Sequence, residues 1–81
     1  MELRFHPHAV DRMQERKVSV ADVELIINSS DGRINQSRDK AILYKKFSKR
    51  KDNLIAAVIV EKINEDLIEV VTILINFEVR K

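Results

Sequence analysis

Apolar residues near the start of the chain recur at the spacing of a helix. Pro7 suits a first helical turn, because its missing N–H has no intrahelical partner there. Ala9, Val10 and Met13 fall on one side of a helical wheel, and polar residues fill the other side. The pattern predicts a first helix over about residues 8–17 that packs through one narrow apolar stripe.

A capping signal marks the start of a second helix. Ser19 is suited to cap it, and Asp22, three residues later, resembles the second half of a reciprocal capping box. The apolar residues that follow at helical spacing are Val20, Val23, Ile26 and Ile27. The segment NSSDG ends the pattern, and its Gly32 is free to adopt a positive φ. A helix over about residues 20–28 is therefore predicted.

From residue 33 onward, the apolar period changes from helical to alternating. Segments rich in Val, Ile and Leu, separated by polar turns, predict strands at about 33–36, 40–48, 53–63 and 67–78. The opening MELRF alternates as well and is expected to be a short extended segment. We therefore predict one α+β domain over residues 1–81, with two N-terminal helices packed on one face of a three- to four-stranded antiparallel sheet.

The last predicted strand carries apolar side chains on both faces. Strict alternation places Ile73 and Phe77 on one face and Ile68 and Val70 on the other, so the strand is expected inside the sheet. Two helices cover only one face of such a sheet. The opposite face therefore needs a partner or a second copy of the chain, unless the sheet curls strongly enough to cover itself.

Composition narrows the class of protein. Hydrophobic residues make up 44% of the chain and charged residues 35%, which is typical of a folded domain. There is no cysteine, so disulfides and thiolate zinc ligands are excluded, and a cytoplasmic location is expected. The longest apolar run, LIAAVIV, is too short to cross a bilayer and no leader pattern opens the chain, so no membrane association is expected.

Charge is distributed unevenly, although the formal net charge is only +2. Residues 33–51 hold eight Lys or Arg against one acid, a local charge of +7, whereas residues 52–79 hold six acids against one Lys, a local charge of −5. A positive surface attracts phosphate backbones, which indicates an anionic partner such as RNA, although a solvated basic loop explains the same charges. The candidate substrate-binding residues are Tyr44, Lys45, Lys46, Lys49, Arg50 and Lys51.

One face of the first predicted helix carries the candidate chemistry. His8, Arg12 and Arg16 follow at four-residue spacing and form a row along the helix. Metal-free cleavage of RNA needs groups that accept and donate protons and that stabilise negative charge on phosphorus. Imidazole and guanidinium groups do this near neutral pH. The row is therefore a candidate catalytic site.

The same face has a plainer explanation. Asp11 and Glu15 lie within reach of Arg12, as in an ordinary ion-paired surface, and His6 is a second candidate imidazole. Several other classes are excluded. One glycine cannot build a phosphate loop, the histidines His6 and His8 lack a third zinc ligand, and no strained nucleophile turn is present. No metal or other cofactor is expected.

The order of residues in the helical half carries a resemblance. The chain resembles domain-of-unknown-function family 4258 over nearly its whole length. The motifs that carry the resemblance are H-x-x-x-R-M-x-E-R at 8–16, V-S-x-x-D-V at 18–23 and V-V-T at 70–72. That family is similar to the RelE and BrnT toxin group, which implies a RelE-like layout with an antiparallel sheet. Its members commonly have Gly after the second arginine, where this chain has Lys17.

The resemblance implies a RelE-like toxin of a toxin–antitoxin pair. Such a protein is a metal-independent endoribonuclease that acts on RNA, and it is held inactive by a cognate antitoxin whose chain wraps over it. The competing hypothesis is a non-catalytic small binding module for an anion, RNA or a protein, which could form a homodimer. A third hypothesis is a toxin-like fold that has lost its chemistry. Whether the chain is an enzyme stays open at this point.

Overall fold

The structure is a computed structural model that describes residues 2–51 and 54–79. In chain order its elements are β1 (Glu2–Phe5), α1 (Pro7–Arg16), α2 (Val20–Ser29), β2 (Gly32–Asn35), β3 (Lys40–Lys46), β4 (Leu54–Lys62), a 3-10 turn (Ile63–Glu65) and β5 (Leu67–Phe77). The bounds differ from the predicted ones by up to two residues. Asn53, the first residue of one predicted strand, lies outside the described residues. The predicted α+β class is confirmed.

The sheet has five strands in the order β1-β5-β4-β3-β2. β1 runs parallel to β5, from Glu2 beside Leu67 to Phe5 beside Val70, and the other neighbouring strands are antiparallel. The four predicted strands therefore do pair antiparallel, but the sheet has a fifth strand, β1, which makes it mixed. Alternation showed that the opening segment is extended, but it carries no information about which strand that segment pairs with.

The two helices cross one face of the sheet. β1 and β2 lie at opposite edges, so the chain between them has to pass over the sheet, with α1 against β5 and α2 against β3 and β4. β1 pairs with β5 in the parallel orientation, and the long connection between them, through both helices and three strands, is compatible with this orientation. None of the helices in the described ranges is long and apolar enough to span a membrane.

The main core lies between the helices and the sheet. Ala9 and Met13 of α1 and Val23 and Ile26 of α2 are buried there. The strand residues that complete it are Ala41, Leu43, Ile55, Ala57, Ile59, Ile68, Val70 and Ile73. The predicted helix stripes are narrower than expected, because Val10 and Val20 are 39% and 48% exposed.

Local signals fix the ends of both helices. The Ser19 hydroxyl accepts a hydrogen bond from the Asp22 N–H, and the Asp22 carboxylate accepts one from the Ser19 N–H, each at 3.1 Å. The predicted capping box is therefore confirmed. α1 ends at Arg16, and its C-cap residue, Lys17, has a φ of 57° in the left-handed region. Gly32 does not use the positive φ that glycine permits, and it begins β2.

A second apolar cluster lies on the other side of the sheet. We call this surface the open sheet face, and its clustered residues are Ile34, Ile42, Tyr44, Ala56, Val58, Val71 and Phe77. Leu74, the register partner of Ala56, lies on the same face and is 39% exposed. Among the described residues, no helix residue belongs to this cluster.

A bulge in β5 changes which residues share a face. Val58 pairs with Thr72, but the next residue of β4, Ile59, pairs with Val70, so Val71 is an extra residue. Val70 and Ile73 consequently both reach the core under the helices. Strict alternation, which placed these two on opposite faces, is therefore wrong beyond Val70.

Candidate functional site

The start of α1 positions the first candidate residue. His6 is the N-cap of the helix, and its Nδ1 atom accepts a hydrogen bond from the His8 N–H at 3.1 Å. Pro7 occupies the first helical turn, where it costs no hydrogen bond. His6, the alternative imidazole, thus has a structural contact, while the His8 side chain begins the exposed face of α1.

A shallow hollow opens on this exposed face. It has a volume of about 490 Å³, and the residues lining it are His8, Asp11, Arg12, Gln14 and Glu15. Spacings of three, four and seven residues place these side chains on one side of a helix. The structure therefore brings together two of the three predicted catalytic residues, His8 and Arg12. Arg16 does not line the hollow.

Inside the hollow, Arg12 is paired with Glu15. The Nη1 atom of Arg12 lies 3.4 Å from the Oε2 atom of Glu15, and the two side chains are 39% and 62% exposed. An ion pair at this exposure contributes about 0 to 1 kcal/mol to stability, because water screens it. A phosphate group can therefore compete with Glu15 for the guanidinium at little cost.

The hollow combines three kinds of functional group. His8 supplies an imidazole, Arg12 a cation with several donors, and Glu15 a carboxylate. Together they can donate a proton, stabilise a phosphorane and accept a proton. Sequence reasoning treated Glu15 only as an ion-pair partner. Its position seven residues after His8, on the same helical face, is the signal that could have identified it.

Two of the predicted substrate-binding residues contact the ends of helices. The Lys45 Nζ atom donates to the carbonyl oxygen of Ser29 at 3.1 Å, at the C-terminus of α2. The Arg50 guanidinium donates to the carbonyl oxygens of Arg16 and Lys17, each at 2.9 Å, at the C-terminus of α1. Cations at these positions satisfy free carbonyl groups and oppose the negative end of the helix dipole.

The other four predicted substrate-binding residues lie apart from the hollow. Tyr44 is on the open sheet face, with its ring centroid 5.8 Å from that of Phe77. The backbone N–H of Lys46 donates to the Asp31 carboxylate at 2.8 Å. Lys49 and Lys51 are exposed in the turn between β3 and β4. The predicted set is therefore divided among three regions of the molecule: the open sheet face, the end of α2 with the segment that follows it, and the turn between β3 and β4.

Within residues 2–51 and 54–79, no group of three or more His, Asp or Glu side chains is arranged to hold a metal ion.

Comparison with known proteins gives one match. Residues 5–75 match a family model described as Domain of unknown function (DUF4258), which confirms the resemblance predicted from the sequence motifs. The match includes all of α1, and with it the hollow. No curated protein and no solved structure matches the chain.

Proposed function

We propose, from the premise that this chain belongs to the DUF4258 family, that it is a RelE-like toxin that cleaves RNA without a metal ion. The observation that carries the proposal is the hollow on α1 that His8, Arg12 and Glu15 share. These three groups meet the minimal needs of cleavage by the 2′-hydroxyl of RNA.

The proposed reaction follows from the three groups. The 2′-oxygen of the RNA forms a bond to phosphorus, and Glu15 accepts the proton that the 2′-hydroxyl loses. The bond from phosphorus to the 5′-oxygen breaks, and the His8 imidazolium donates a proton to that oxygen. The Arg12 guanidinium donates to the phosphate oxygens as negative charge develops on them. The products are a 2′,3′-cyclic phosphate and a 5′-hydroxyl.

Substrate binding and activation are linked in this scheme. Arg12 is paired with Glu15 when no phosphate is bound. When Arg12 turns to a phosphate oxygen, the Glu15 carboxylate loses its partner and is released to accept a hydrogen bond from the nearby hydroxyl. The exposed ion pair is weak, so the exchange needs little energy.

The proposal includes a partner protein. A toxin of this kind acts on RNA in the cytoplasm and is held inactive by a cognate antitoxin. The open sheet face offers apolar surface to such a protein, since Leu74 is 39% exposed there.

An RNA cleavage assay in EDTA tests the function. We expect the wild-type chain to produce fragments that end in a 2′,3′-cyclic phosphate, and His8→Ala to be slower by about a hundredfold or more. Added imidazole should restore part of the activity, which a merely structural residue would not allow. Asn64→Ala, at the far end of the sheet, is the control and should keep full activity. Absence of cleavage by the wild type would refute the proposal.

A second candidate function is a homodimeric binding module without catalysis. The open sheet face favours it, because Tyr44, Val71 and Phe77 pack around a buried cluster there without a helix over them. Light scattering after size exclusion tests the dimer. Leu74→Asp should then convert it to a monomer, while Val20→Asp, at a similarly exposed position on the helical side, should leave it intact. A monomeric wild type rules this candidate out.

A further inference from the structure

Four exposed cations from two distant segments meet at one end of the molecule. Arg16 and Lys17 end α1, and Lys49 and Lys51 lie in the turn between β3 and β4. The two hydrogen bonds from the Arg50 guanidinium to the carbonyl oxygens of Arg16 and Lys17 hold this turn against the end of α1. We call the four exposed cations the basic end.

The basic end has little internal neutralisation. Within the described part of the chain, none of its four residues forms an ion pair, unlike Arg12, Arg33 and Lys45. The nearest carboxylate on α2, Asp22, lines a hollow with Lys49 but accepts the hydrogen bond of the capping box.

Two further carboxylates of the described residues belong to this end of the sheet. Asp31 precedes β2 and lies 4.0 Å from the Lys45 ammonium group. Glu78 follows β5, whose last residue, Phe77, pairs with Leu54 at the start of β4. Among the described residues, Asp22, Asp31 and Glu78 supply three negative charges at this end, against the four cations of the basic end and those of Lys45, Lys46 and Arg50, so the local charge remains positive.

The opposite end of the sheet provides a contrast. Arg38 and Lys62 line a hollow there together with three carboxylates, those of Asp39, Glu61 and Glu65. The cations at that end are therefore mixed with acids. The uneven charge along the sequence becomes a difference between the two ends of the fold, and the basic end presents exposed cations to a series of negative charges.

We propose that the basic end binds the phosphate backbone of single-stranded RNA and feeds it into the hollow on α1. The inference rests on the proposed function for the identity of the polyanion. Position supports it, since Arg16 directly follows Glu15 of the hollow. His8 and Arg16 are eight residues apart, which is about 12 Å of helix. Arg50 acts as a positioning residue that joins the two segments.

Binding measurements with paired variants test this surface. All proteins carry His8→Ala so that RNA stays intact, and fluorescence anisotropy follows a labelled single-stranded RNA of about 12 nucleotides. The test variant is Arg16→Gln/Lys17→Gln/Lys49→Gln. The control is Arg38→Gln/Lys40→Gln/Lys62→Gln, which removes the same residue types and the same charge from the opposite end.

The expected result is a loss of affinity confined to the test variant. We expect its Kd for RNA to rise about tenfold or more, and the slope of log K against log salt to become shallower by about 2, as expected for three lost phosphate contacts. The control should stay within about threefold of the parent. Equal weakening of both variants would show an effect of net charge alone and would overturn the inference, as would unchanged binding by the test variant.

Cleavage assays with the same substitutions, made in the chain that keeps His8, separate this inference from the proposed function. One outcome is that the wild-type chain and the test variant that keeps His8 both cleave RNA with the same KM. In that case the role of the basic end is refuted and the nuclease proposal stands. If RNA binds through the basic end but is never cleaved, the nuclease is refuted and the surface stands. Tighter binding to vesicles containing anionic lipid than to RNA would assign the surface to a membrane and overturn the inference.

Discussion

The ring of Tyr44 lies directly over Gly32, its partner across β2 and β3, in the space that a Cβ at position 32 would occupy. Gly32 is therefore required for its lack of a side chain and not for a positive φ. An aromatic ring that covers a glycine on the neighbouring strand compensates for the missing side-chain contacts of that glycine. On its other side, the Tyr44 ring packs against Phe77.

Gly32→Ala should therefore destabilise the protein. The new methyl group would displace the Tyr44 ring and weaken its contact with Phe77, at a cost of about 1 to 3 kcal/mol in the free energy of unfolding. Urea denaturation measures this cost. In a Tyr44→Ala background the same substitution should cost much less, because no ring is left to displace. An equal cost in both backgrounds would place the strain in the backbone instead.

Lys17→Gly should make the protein more stable. Lys17 has a φ of 57°, a conformation that costs a residue with a side chain about 1 to 2 kcal/mol and costs glycine nothing. The greater freedom of glycine in the unfolded chain offsets part of this gain. We expect a net increase of about 0.5 to 1 kcal/mol in the free energy of unfolding.

The neighbouring residue supplies the control for that prediction. Arg16 is the last residue of α1, so Arg16→Gly should lower stability, because glycine is unfavourable in a helix. Thermal denaturation of the two variants should therefore give shifts of opposite sign. A lower melting temperature for Lys17→Gly would contradict the prediction.

Arg50→Met should destabilise the chain, whereas Lys49→Met should not. Arg50 donates two hydrogen bonds to carbonyl oxygens at the end of α1, so its loss should cost about 0.5 to 1 kcal/mol. Lys49 is exposed, and its replacement should change stability by less than about 0.5 kcal/mol. Chemical denaturation of the pair distinguishes a helix-capping cation from a solvated one, and equal effects would argue against the capping contact.

Features of the fold that depend on neighbouring residues were predictable from the sequence. The capping box at Ser19 and the alternating strands depend on spacing within a few residues. The pairing of β1 with β5 joins segments that are distant in the sequence, such as Glu2 and Leu67, and neither segment contains a signal that identifies the strand it pairs with. The bulge at Val71 likewise depends on how β5 fits against β4, which alternation alone does not reveal.

The candidate site was likewise predictable from the sequence only where its residues are close together in the chain. His8 and Arg12 lie one helical turn apart, so their common face follows from the sequence. The contacts of Lys45 and Arg50 with the ends of α2 and α1 join residues 16 or more positions apart in the chain, and they became visible only in the fold. A run of basic residues shows its charge but not which cations are already engaged.

Glu15→Gln is the substitution that separates catalysis from simple pairing in the hollow. If Glu15 accepts the proton of the 2′-hydroxyl, the variant should cleave RNA about a hundredfold more slowly or worse, since an amide cannot take up that proton. Its affinity for RNA should hold or improve, because a negative charge beside the phosphate is removed and Arg12 loses its competing partner. Initial rates at saturating RNA, with anisotropy for binding, separate the two effects.

Glu24→Gln makes the same charge change on an exposed position of α2 and should retain full activity. Faster cleavage by Glu15→Gln would mean that Glu15 only restrains Arg12, and the proton acceptor would then have to be another group of the hollow.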